Sequence, residues 1–235
     1  MSKHKISAWI LAFVLFIFMP LVFAAAFFYA PPIKGLGETG KIIVFHVPCS
    51  WITVLAFLIS AVFSAKILYK LSKQNNQILT EDVWAAGAAQ IGLVFAVLAT
   101  VTGSIWAKKI WQSYWNWDPR ETSIFVLLLI YAAYFALRSA IANPRDKARI
   151  AAVYSIIAFF TVPFFIFIIP RVYDTLHPDP IINESQQIHM DSRMKYTFFA
   201  SLAGFTIIFM YLLYIKAKLE ILYLQKEVIL EEIDE

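Results

Sequence analysis

Six long apolar blocks constrain this chain more than any other feature of its sequence. They run roughly over 7–29, 42–65, 83–106, 122–142, 148–169 and 196–215. Each is close to the about 20 residues that a helix needs to cross the hydrocarbon of a bilayer. Backbone immersed in lipid must pair its own N–H and C=O groups, so blocks of this kind read as helices. No Asp, Glu, Lys or Arg lies deep in any of them. Arg138, one turn from the end of the fourth block, stands where it can snorkel to the surface. The composition agrees: 60% of residues are hydrophobic and 15% are charged, whereas soluble domains sit nearer half and a quarter. The expected fold is all-α: one polytopic membrane domain over 1–235 with six transmembrane helices. Lys3 and Lys5 precede the first block, but it is too long for the apolar region of a signal peptide and is read as a retained span.

Orientation follows from the basic residues of the short connections. The N-terminus, the second and fourth connections and the C-terminus hold 12 Lys and Arg; the first, third and fifth connections hold 8. Both termini are therefore expected in the cytoplasm, with the three odd-numbered connections outside. The tail over 216–235 ends in acidic residues and reads as a short cytoplasmic surface or partner helix. Without charge inside the spans, the chain lacks the buried acids of an ion pump or proton relay. The unusual residues gather instead at the outer boundary.

The third connection, 106–121, reads "WAKKIWQSYWNWDPRE". Four of the seven tryptophans fall within twelve residues there: Trp106, Trp111, Trp115 and Trp117, with Tyr114 between them. An aromatic belt at the lipid boundary accounts for one or two per helix end, as at Trp9, Trp51 and Trp84. Four exceed that need, and a flat, apolar, conjugated ligand is the natural occupant of such a surface. Asp118, Pro119 and Glu121 supply the cap, first-turn proline and capping-box acid of the next helix.

Two histidines fall on the same expected side: His46 in "FHVP", before the second span, and His177 in "TLHPDP", after the fifth. His189 lies further along that loop, and His4 lies on the cytoplasmic side. Two imidazoles beside an aromatic wall suit the axial positions of a haem iron. Lys108, Lys109, Arg120 and Arg171 are cations that could pair with its propionates. A zinc site built from His46, His177 and His189 with Asp179 or Asp191 is the competing arrangement, although it lacks compact ligand spacing and leaves the tryptophans unused. The single cysteine, Cys49, excludes an internal disulfide and a covalent haem-attachment motif. "GLGETGKI" over 35–42 matches a phosphate-binding loop only in part. Ile42 stands where Ser or Thr is required, so the glycines read as a turn.

"TGSIWAKKIWQSYWNWDPRETS" resembles the tryptophan-rich signature of membrane proteins that handle haem during cytochrome c maturation. Together with six spans, "FHVP" and "TLH", it resembles the CcmC family over nearly the whole chain. The resemblance implies haem b, bound non-covalently as cargo and not as the cofactor of an enzyme. It implies axial ligation by His46 and His177, with Trp106, Trp111, Tyr114, Trp115, Trp117, Asp118 and Arg120 in the binding loop. It also implies a place in the bacterial inner membrane with the functional loops periplasmic. The partners implied are the haem chaperone CcmE, the transporter subunits CcmA and CcmB, the small protein CcmD and the lipid bilayer, without nucleic acid. Two departures stand out. The family's doubled tryptophan is here Tyr114-Trp115, and "PRET" is closer to the CcsA/CcsB-type cytochrome c synthases. A synthase component of that type, or a small-solute permease, are the alternatives.

Overall fold

The computed structural model describes residues 3–75, 77–178 and 190–234. His189 and Asp179 lie outside them. Helix α1 spans Lys3–Ala24 and ends in a π-helical turn, Ala25–Tyr29. A 3₁₀ turn at Glu38–Ile42 leads into α2, Ile43–Ser72. Helix α3 covers Leu79–Trp111, α4 Pro119–Ala140 and α5 Pro144–Pro163. A second π-turn, Phe164–Ile168, and the short α6, Ile169–Val172, continue α5. Helix α7 runs over Ser192–Asp234. Six of these stretches are long and apolar enough to cross a membrane. Among the described residues the one extended pairing is an isolated bridge between Ile33 and Gly37. Gly35 and Gly37 have positive φ there, so the "GLGETGKI" stretch is a turn.

Helix α2 is the hub and packs against α3, α5 and α7. Lipid gives no hydrophobic drive between helices, so close packing of small residues holds them together. Ala88, Ala89, Ala96 and Ala99 of α3 are buried. A Cβ on Gly92 would stand 2.7 Å from the Phe57 ring and 3.0 Å from Ala56, so only glycine admits this approach of α2. Buried serines pair across the same interior, Ser60 with Ser155 at 3.0 Å.

Two expectations need correction. Arg138 does not snorkel. It forms a two-pronged pair with Asp82 near the start of α3, at 2.7 and 2.8 Å, and both side chains are about 15% exposed. A planar guanidinium matches a carboxylate in this way and satisfies it without reaching solvent. The tail is not a separate helix either. No glycine or proline follows Gly204, so α7 continues without a break to Asp234. At a rise of about 1.5 Å per residue it is far longer than the about 30 Å hydrocarbon layer.

Removing one partner of a buried pair leaves an uncompensated charge, at a cost of about 3–5 kcal/mol. Arg138→Met and Asp82→Leu are each expected to lower thermal stability sharply, and the double substitution to recover much of the loss. Cys49 is the only thiol and is buried, so a thiol-reactive dye reports unfolding directly. Additive losses in this cycle would show that the pair carries no coupling.

Candidate functional site

The connection between α3 and α4 is built from side-chain hydrogen bonds. Helix α3 ends with Gln112 in the left-handed conformation. The Ser113 hydroxyl donates to the Trp115 carbonyl at 2.8 Å. Asp118 caps α4 by accepting the Arg120 N–H at 2.9 Å, Pro119 opens the helix, and Glu121 completes the capping box. Glu121 does more than cap. Its Oε2 accepts the Asn116 N–H at 2.7 Å and the Asp118 N–H at 3.3 Å. These two bonds bracket Trp117, which sits at φ +57°. A bulky residue there is strained, by about 1–3 kcal/mol, and persists only when its surroundings over-determine it.

The buried Asp118 carboxylate also organises the loop after α6. Its oxygens accept the Thr175 hydroxyl at 2.8 Å, the Leu176 N–H at 2.7 Å and His177 Nδ1 at 2.9 Å. The sequence reading of Asp118 as a cap is thus correct and incomplete, because one carboxylate joins two connections. Burial alone would push its pKa up, but the bonds from Arg120, Thr175 and Leu176 and the nearby His177 hold it below the ordinary value.

His177 packs edge-on to Trp111 at 4.9 Å between ring centroids and lies 6.0 Å from Trp106. Burial is the main cause that lowers its pKa from 6.5 to about 4. The Asp118 charge opposes the shift, and Arg120 adds to it. His177 is therefore neutral near pH 7. A carboxylate at Nδ1 selects the Nδ1–H tautomer and leaves the lone pair on Nε2.

His46 enters the site from the other side. It stands on the first turn of α2, with Nδ1 3.1 Å from the Thr102 hydroxyl of α3. That hydroxyl also reaches the Leu98 carbonyl at 2.7 Å and the Ala99 carbonyl at 3.1 Å, and with its proton on either of them it accepts from His46 Nδ1. The ring packs close against α3, where a Cβ on Gly103 would come within 3.0 Å of Cε1.

Both imidazoles line one cavity of about 810 Å³, within the roughly 300–1,000 Å³ usual for small-molecule and cofactor sites. Its walls come from the first connection, the N-terminal turns of α2 and α4, the C-terminal turns of α3, and the π-turn after α5. Trp106, Trp115 and Arg120 line it, as do Lys34, Arg171, Glu121 and Ser123. Trp106 Nε1 and Ser123 Oγ are buried with no hydrogen-bond partner among the described residues. Each is left with a polar atom to offer an occupant.

The aromatic group expected as one platform is divided. Trp111 backs His177, and Tyr114 and Trp117 are 60% and 69% exposed; none of the three lines the cavity. Trp117 stacks edge-on with Trp115 and Phe125. Lys108 donates to the Gln112 carbonyl at its own helix end, and neither it nor Lys109 lines the cavity. Lys34, Thr102, Gly103 and Thr175 were missed by the sequence reading. Hydroxyls and glycines in helical or loop sequence carry no mark of what they face. No group of three or more metal-binding side chains occurs among the described residues.

The folded state resists protonation of His177. Its packing therefore contributes stability fully above pH 6.5 and loses it as the pH falls towards 4. Nitrogen NMR of histidine-labelled protein is expected to show His177 titrating near pH 4. A midpoint near 6.5 would contradict the buried, Asp118-bonded geometry.

The chain resembles known proteins over most of its length. The sequence model of the CcmC family, described as heme exporter protein C, matches residues 1–231. The chain is 29% identical over 201 residues to heme exporter protein C of Paracoccus denitrificans, covering 83% of this chain and 78% of that one. With heme exporter protein C of Rhodobacter capsulatus it shares 28% over 228 residues, covering 94% and 88%. A cytochrome c biogenesis protein CcsA of Arabidopsis thaliana is 26% identical over 125 residues, covering 45% and 37%. The match over nearly the whole chain places this protein in the CcmC family of heme exporter protein C.

Proposed function

We propose that this protein binds haem in the cavity between His46 and His177 and hands it on during cytochrome c maturation. One observation carries the reading. His46 and His177 line the same cavity, and each has its Nδ1 beside a hydrogen-bonding oxygen, which leaves Nε2 as the nitrogen to offer an occupant. Two such nitrogens suit axial ligation of a haem iron. Trp106 and Trp115 supply apolar wall for the macrocycle, and Lys34, Arg120 and Arg171 place cations beside it for the two propionates. The names of the relatives point the same way.

In this reading the haem is haem b, held without a covalent bond to the chain. The cavity lies on the periplasmic side of the bacterial inner membrane. Tyr114 and Trp117, exposed beside it, form the surface on which the chaperone CcmE docks. CcmA, CcmB and CcmD complete the assembly and supply the energy for release. The protein positions cargo and acceptor and makes no bond itself, so its contribution is proximity.

Purified protein from haem-replete cells is expected to show the Soret and α/β bands of a six-coordinate haem. Substituting His46 or His177 with alanine should change that spectrum or abolish it, whereas His4→Ala should not. A haem-free wild type would sink the proposal. Trp117→Ala with Tyr114→Ala is expected to weaken capture by the chaperone more than about tenfold while haem binding stays intact, the loss of one or two anchor rings from an interface. Equal loss of both would assign these rings to haem instead.

A further inference from the structure

The two imidazoles are mounted differently. His177 Nδ1 donates to an ionised carboxylate at 2.9 Å. His46 Nδ1, which carries the proton when Nε2 is the ligand, faces at 3.1 Å a neutral hydroxyl that can pass its own proton to the Leu98 or Ala99 carbonyl. A hydrogen bond to a charged acceptor is roughly twice as strong as a neutral one. Drawing the Nδ1 proton towards a carboxylate makes Nε2 a stronger donor to a metal, and such supporting partners alter metal affinity by about 10–100-fold. Asp118 shares its charge among several donors, which moderates the effect without removing it. The surroundings add to the difference. Trp111 and Trp106 wall in the His177 ring, while His46 lies on bare backbone at Gly103.

We propose that the protein holds haem iron unequally: His177, backed by Asp118, is the ligand that is retained, and His46, backed by Thr102, is the ligand that yields. Thr102 is then a positioning residue that sets the strength of the weaker bond. The inference rests on the haem reading of the cavity. An unequal pair solves a problem that transfer poses. A carrier with two equally strong ligands has no first step, whereas a weak one opens a single coordination position while the cargo stays anchored.

The test uses the full-length protein in detergent, loaded with haem. His46→Ala is expected to retain haem about tenfold more tightly than His177→Ala, the size typical of a carboxylate-supported ligand. Added imidazole should restore the six-coordinate spectrum in both variants, which shows that each has folded. In the ferrous protein, carbon monoxide must displace one histidine before it binds. Thr102→Val is expected to speed that capture about tenfold, and Thr102→Ser to restore the original rate. Equal haem affinity in the two histidine variants, tighter binding by His177→Ala, or unchanged capture in Thr102→Val overturns the proposal. A wild type that takes up no haem overturns the haem reading itself, and this inference with it.

Discussion

The arrangement at the cavity end of this bundle depends on one carboxylate. Asp118 starts α4, fixes the loop after α6 through Thr175 and Leu176, and orients His177. Each contact alone is ordinary. Their convergence means that the beginning of one helix and the end of another cannot move independently. A loop rich in bulky rings would otherwise pay a large conformational entropy for its order. The buried acid replaces many weak contacts with a few directional ones, and those bonds hold it ionised at neutral pH.

Lipid explains why the chemistry gathers there. Inside the bilayer the helices can use only close packing and a few satisfied polar pairs, as at Gly92 and at Ser60 with Ser155. Charge is confined to places where it can be paired, such as Arg138 with Asp82. The boundary is where charge, aromatic surface and titratable groups can coexist. Helix α2 links the two regions, because the hub of the packing also carries His46.

The six helices were legible in the sequence because hydrocarbon imposes a length and forbids charge, and both constraints leave a mark. The capping box at Asp118 was legible because its residues are close in sequence. His46 and His177 stood out as the histidines flanking spans on one side. What the sequence hid was the tertiary pairing. Nothing in "TVTGS" says that Thr102 shares a hydrogen bond with a histidine on another helix, or that Gly103 makes room for its ring. The tryptophans were legible as a group but not by role, since Trp111 and Trp115 look alike in sequence and face different partners. Arg138 was misread because a partner 56 positions away does not show in local spacing.

Trp117 carries a further implication for how this loop can change over generations. It holds a large exposed ring on a backbone conformation that glycine adopts freely. Glycine there would relieve the local strain and erase the ring in a single step. Stability and aromatic surface therefore pull in opposite directions at this position. Glycine would also lose the edge contacts with Trp115 and Phe125, so the backbone favours the smaller residue while the ring's packing and its exposed face favour tryptophan.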